Sequence, residues 1–196
     1  MPDSGLRKGV CMLQSSGSKR AGALLAAVVT ASMAGGLCNA QTSGKHMASD
    51  QDRQFLQDLG KDSNFEIKTS QLALEKSQSA DVKQYARMVV HDHDTIKVKI
   101  AAADKAAETS AVSPTDMTPD NQSTVDKLSK LSGTDFDKAY VQELVKGNQN
   151  IEQEESSEAK SSTVPAVKSL AMQSASTDKK HAARAKILAK AHDVQS

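Results

Sequence analysis

Four segments of this chain repeat apolar residues at intervals of three and four, and each stripe is interrupted near its middle by one polar residue: Glu66, His93, Asn148 and His181. That spacing places each stripe on one face of a helix. Four such faces can leave water only by packing on one another, which predicts an all-α four-helix bundle. The polar interruptions then fall inside it. Burying a carboxylate or an imidazole costs several kcal/mol unless it is paired or bound to something, so four such residues at matching positions predict one buried polar site.

The helices can be placed from local signals. Ser49 or Asp50 can cap a first helix running to about Ser77, with Phe55, Leu59, Glu66 and Ala73 on one line. After a short turn at Ser79 to Asp81, a second helix to Ala107 carries Ala86, Val89, His93, Ile96, Ile100 and Ala103. Glu66 and His93 each lie about 13 or 14 residues from that turn, so they should meet at one depth. From Glu108 to Gly133 the pattern breaks at Pro114 and Pro119, with room for a short helix at Val125 to Leu131. A connection that long predicts a crossover of the full bundle, making helices two and three parallel in the ferritin-like manner. Helix three starts near Thr134 or Asp135, with Val141, Leu144, Asn148 and Ile151 in line. A turn at Ser161 to Thr163 precedes helix four, which has Pro165 in its first turn and Val167, Leu170, Ser174, His181 and Leu188 in line. His181 and Asn148 agree in depth only to within about one to two turns.

Ahead of the first helix the chain reads as an address. Lys19 and Arg20 precede the small, apolar run Ala21 to Leu37, and Cys38-Asn39-Ala40 ends in a residue that a signal peptidase accepts. This predicts residues 1–40 as a cleaved signal peptide, 41–48 as a flexible tether and 49–196 as the bundle domain. Translation from Met1 gives a long leader and from Met12 an ordinary one; both starts stay open. A lipoprotein signal needs Leu three residues before Cys38 and a small residue directly before it, whereas Gly35 and Leu37 stand in the reverse order. About 17 residues interrupted by Gly, Ser and Thr are at the lower limit for an uncleaved anchor, and arginines are too few for a mitochondrial presequence. The expectation is export to the periplasm or beyond, with outer-membrane association left open and no transmembrane segment after cleavage.

Cleavage would remove four basic residues and one acidic one, leaving 21 against 23 and a formal charge of −2. No basic excess remains to draw nucleic acid or anionic lipid. Both cysteines, Cys11 and Cys38, leave with the leader, so disulfide and thiol chemistry leave too. The remainder is poor in aromatics and has four glycines and three prolines, a composition suited to helices.

Several stretches resemble a known family: Asp52 to Leu56, Glu66 with Leu72-Ala73-Leu74, Val82 to His93, Ser132 to Tyr140, and Lys180-His181. They are similar to the exported bacterial family catalogued as domain of unknown function 4142, over nearly the whole chain from about Asp50. The resemblance implies a ferritin-like helical bundle, an outer-membrane or exported protein, and a molecular role not established. It also implies a Glu in helix one, an Asp-His pair in helix two and a His in each of helices three and four. Glu66, Asp92, His93 and His181 match. Helix three departs, with Gly147 and Asn148 where an acidic residue and His are usual.

Two functions compete for the polar residues. As a divalent metal site, Glu66, His93 and His181 would supply ligands, with Asn148 or water completing a shell suited to zinc, iron, manganese or copper. As a structural layer, the same residues would hydrogen-bond to each other and fix helix register; the Asn at position 148 favours this reading. A ferritin-type di-iron centre wants paired Glu-x-x-His motifs, and the chain contains none. No phosphate loop, cysteine nucleophile or convincing Ser-His-acid set points to an enzyme. His91 lies about 200° around the helix from His93 and is expected in solvent. So is the acidic run Glu152, Glu154, Glu155 and Glu158, while Lys179, Lys180, Arg184, Lys186 and Lys190 suit the later half of helix four, where positive charge complements the helix dipole. The sequence therefore predicts a non-catalytic envelope protein with a buried polar layer, metal binding being the alternative, and it names no envelope partner.

Overall fold

The computed structural model describes residues 47–109 and 116–195, without the side chains of 148–153. These residues form five helices and no strand: α1 (Asp50–Lys76), α2 (Ala80–Ala107), α3 (Pro119–Ser129), α4 (Gly133–Ser161) and α5 (Pro165–Ala191). The expected leader and most of the expected tether, residues 1–46, lie outside the described residues. Of the remaining tether, Met47 is exposed, while Ala48 packs into the core and its carbonyl accepts a hydrogen bond from Arg53 Nη1 at 2.8 Å.

Local chemistry sets the ends. Ser49 caps α1 in a reciprocal capping box with Asp52, its hydroxyl accepting from the Asp52 N–H while the Asp52 carboxylate accepts from the Ser49 N–H. Glu108 closes α2 in the left-handed region at φ 54. Gly133 opens α4 at φ 56, a conformation that glycine takes without the Cβ penalty. The crossover helix begins six residues before the expected Val125, because Thr118 caps it by accepting from the Asn121 N–H and Pro119 occupies its first turn. Proline breaks a helix from inside but starts one at no hydrogen-bonding cost.

The long helices pack as α1 on α2, α4 on α5, α2 on α5 and α1 on α4. Long-range contacts set their directions. Ser162 at the end of α4 donates to Asp52 at the start of α1, and Ser70 and Tyr140 hydroxyls meet at 2.8 Å at the other end of that pair. Asp81 at the start of α2 meets His192 just past α5. Each packed pair is therefore antiparallel, so the crossover joins two parallel helices, α2 and α4.

The apolar core falls into two clusters. One lies toward the α1–α2 turn and includes Tyr85, Val89, Phe136, Tyr140 and Leu188; the other lies toward the α4–α5 turn and includes Leu56, Leu59, Ile96, Ile100 and Leu170. Between them α1, α2 and α5 carry buried polar residues: Ser63, His93, Ser174, Asp178 and His181. Among the described residues no helix is long and apolar enough to cross a membrane.

Candidate metal centre

The helical stripes bring Glu66 of α1, His93 of α2 and His181 of α5 together, each offering one ligand atom within 4.8 Å of the others. His93 and His181 are 3 % and 1 % exposed, so neither imidazole has bulk water to satisfy it. Asn148 lies within α4, but its side chain is outside the described residues.

Each histidine is held at one ring nitrogen and left open at the other. His181 Nε2 stands 3.0 Å from Asp92 Oδ2, and a carboxylate can only accept, which puts the proton on Nε2 and the lone pair on Nδ1. His93 Nδ1 stands 3.3 Å from Ser63 Oγ; with its proton there, it donates to the hydroxyl and leaves the Nε2 lone pair free. The open atoms, His93 Nε2 and His181 Nδ1, have no hydrogen-bond partner, and neither does Glu66 Oε2. Buried polar atoms are nearly always satisfied. Here three orphans face one point.

Their mutual contacts do not relieve them. His93 Nε2 lies 3.7 Å from Glu66 Oε2 and 3.9 Å from Asp178 Oδ1, and His181 Nδ1 lies 3.8 Å from the same Asp178 oxygen. These separations exceed hydrogen-bond length. They approach the roughly 3.4 Å edge of a tetrahedral shell with bonds of about 2.1 Å. Asp92 and Ser63 stand where outer partners of metal-bound histidines stand, fixing ring orientation and tautomer.

Electrostatics separates the ligands into two types. Burial, with His181 beside it, pushes the His93 imidazole down to about 3, so it is neutral at ordinary pH. Burial pushes the Glu66 carboxyl up to about 8, helped by Asp178 and Asp62. Burial also raises the Asp178 carboxyl, against Glu155 and His181, which lower it. A divalent cation would reverse these penalties, since it favours ionised carboxylates and neutral imidazoles alike.

Asp178 and Ser63 were not among the residues expected from the sequence, though a helical signal exists for each. Asp178 stands three residues before His181 and Ser63 three before Glu66, so each shares a face with a predicted ligand. Glu155 and Glu158 overturn an expectation. They were expected in solvent but are each 2 % exposed, while Glu154 is exposed as expected. Residues 155 and 158 are one turn apart and face α1, whereas 154 is rotated about 100° away. The Glu152 side chain lies outside the described residues. His91 is exposed, as expected, and Lys179, Lys180, Arg184, Lys186 and Lys190 of α5 are exposed as well.

No curated protein and no solved structure matches this chain. A family model described as "Domain of unknown function (DUF4142)" matches residues 38–188, a span that includes Glu66, His93, Asp178 and His181. The chain belongs to that family.

Proposed function

We propose that this protein is an exported, divalent-metal-binding four-helix bundle of ferritin-like topology, with the metal held by Glu66, His93 and His181. The observation that carries the metal reading is the convergence of three buried, unpartnered ligand atoms from three helices. Two antiparallel pairs joined by a crossover between parallel helices support the ferritin-like topology. The basic and apolar leader ending at Ala40 supports export, to the periplasm or outer membrane.

A self-satisfied polar layer is the weaker reading, because the three open atoms stand too far apart to hydrogen-bond to each other. Asp178 Oδ1, near both imidazoles, is a further candidate for the remaining position in the shell, beside Asn148 or water. Mixed carboxylate and imidazole donors suit zinc, iron, manganese or copper. Binding, rather than turnover, is what this geometry supports.

The test is elemental analysis of the full-length protein, purified without an affinity tag, beside His93→Ala. One metal equivalent in the first and none in the second is expected. Zinc at about 100 times its Kd should stabilise the wild type by about 2.7 kcal/mol and leave His93→Ala unmoved. Metal-free protein whose melting temperature ignores added zinc, iron, manganese and copper would return the site to a structural layer. Mass spectrometry of the N-terminus from fractionated native host tests export; an intact leader in membranes would refute it.

A further inference from the structure

Because His93 and His181 are almost wholly buried, neither imidazole meets an ion directly from solution. Of the three residues that converge, only Glu66 has appreciable contact with solvent: its side chain is 15 % exposed, although Oε2 is buried 3.7 Å from His93 Nε2. Glu66 also forms part of the floor of a cleft of about 290 Å³ between α1 and α4, beside the buried Tyr140 and Leu144. Neither histidine lines that cleft. One carboxylate therefore faces the cleft and the histidine layer at the same time.

The mouth of the cleft suits a cation. Lys146, Gly147 and Glu154 of α4 are exposed on its rim. Lys146 pairs with Glu143 at 3.1 Å, which leaves Asp62 and Glu154 as the unbalanced charges of the walls. Burial and the neighbouring Asp58 raise the Asp62 carboxyl only to about 6, so it is ionised at neutral pH. Acidic walls raise the local concentration of cations and speed their arrival. Gly147 keeps the rim open: a Cβ there would meet nothing within 4 Å, so no close packing calls for glycine.

We propose that this cleft is the port through which a divalent cation enters, with Glu66 the first protein ligand it meets and His93 and His181 the ligands it is passed to. The inference deepens the metal reading and rests on it. Geometry sets the order, because an ion arriving by the cleft reaches Glu66 before either buried nitrogen. Gly147 then governs the rate of loading rather than the affinity, since it lies on the approach and offers no ligand atom.

Stopped-flow mixing of metal-free, full-length protein with cobalt(II) chloride, read by the visible absorption of the bound ion, tests it. Gly147→Leu should load several-fold more slowly than the wild type, with the same final cobalt content and a metal-free melting temperature no lower. Gln71→Leu, lining another cavity on the α2 and α3 side of α1, should load at the wild-type rate. Loading of Gly147→Leu at the wild-type rate, or equal slowing in Gln71→Leu, would overturn the proposal. If Gly147→Leu does not fold, Glu154→Lys decides, since it puts positive charge on the exposed rim. Slower loading at low salt that recovers as salt rises supports the port, and a wild-type rate refutes it. Elemental analysis of the same samples separates the two readings. A wild type that takes up no cobalt removes the metal site and its port together, whereas full uptake at an unchanged rate in Gly147→Leu removes the port alone.

Discussion

The two ends of the helix assembly solve the same packing problem differently. Toward the α1–α2 turn, α4 contributes Phe136, Tyr140, Val141 and Leu144 to a closed apolar cluster that also takes Val125 and Leu128 from the crossover helix. Toward the α4–α5 turn, the apolar cluster draws on α1, α2 and α5, while α4 turns Glu155 and Glu158 inward onto a cavity. One end is built for stability, the other gives up packing for charge. The histidine layer lies at their junction, where α1, α2 and α5 change from one cluster to the other. This arrangement puts the candidate ligands against a rigid apolar floor on one side and carboxylates on the other.

The largest expected difference between the ends is in packing. Phe136 is fully buried and stacks on Tyr140 with ring centroids 5.8 Å apart, so Phe136→Ala should cost about 3 to 5 kcal/mol. Phe55 is half-buried against the cavity, and Phe55→Ala should cost less than about 2 kcal/mol because the site is already open to solvent. Urea denaturation of both variants measures the contrast. Equal losses would erase the distinction between a closed and an open end.

pH sharpens the comparison from the charged side. Glu66 and Glu155 have carboxyls raised to about 8 and about 9 in the folded protein, mainly by burial. A raised folded pKa stabilises fully below the unfolded value near 4.5 and loses that contribution as pH rises through the folded value. His93, pushed down to about 3, has the opposite sign: its contribution is present above about 6.5 and lost as pH falls. Metal-free protein should therefore be most stable near pH 4 to 5 and weaken toward pH 8. Above pH 6.5, where His93 no longer contributes to the slope, the raised carboxyls of Glu66, Glu155, Glu158 and Asp178 all act in the same direction, so stability should fall steadily as pH rises. Chemical denaturation across that range checks it, and Glu66→Gln with Glu155→Gln should flatten the decline. Stability that rises from pH 5 to 8 would contradict the buried-acid picture.

The smallest effect tests the closed end alone. Ser70 and Tyr140 share a buried 2.8 Å hydrogen bond between α1 and α4. Removing one partner as Ser70→Ala leaves the tyrosine hydroxyl unsatisfied and should cost about 1 to 3 kcal/mol, toward the lower end because one hydroxyl is involved. Ser70→Ala/Tyr140→Phe should recover part of that loss. A double variant no better than the single one would mean that the bond carries no such penalty.

Much of this could be read before any coordinates. Ala86, Val89, Ile96 and Ile100 mark α2 because a helix repeats every 3.6 residues, and the same rule placed Glu66 and His93 at one depth on either side of a short turn. Pro165 and Ser49 announced helix starts, since capping is local chemistry. Pro119 was harder, because the same residue breaks a helix from within and opens one at its first turn; only Thr118 beside it decided the matter.

The sequence by itself determined the helices, their polar interruptions and the short-turn pairings, all consequences of interactions within a few residues or of one reversal of the chain. The tertiary structure alone decided which face of α4 meets α1, and with it that Glu155 and Glu158 are buried while Glu154 is not. It also decided that Asp178 joins His93 and His181, and that their remaining nitrogens stay unpartnered. Those outcomes depend on how α5 and α4 rotate about their axes against α2 and α1, and a rotation of one residue, about 100°, is set by the summed packing of all the helices rather than by any local signal.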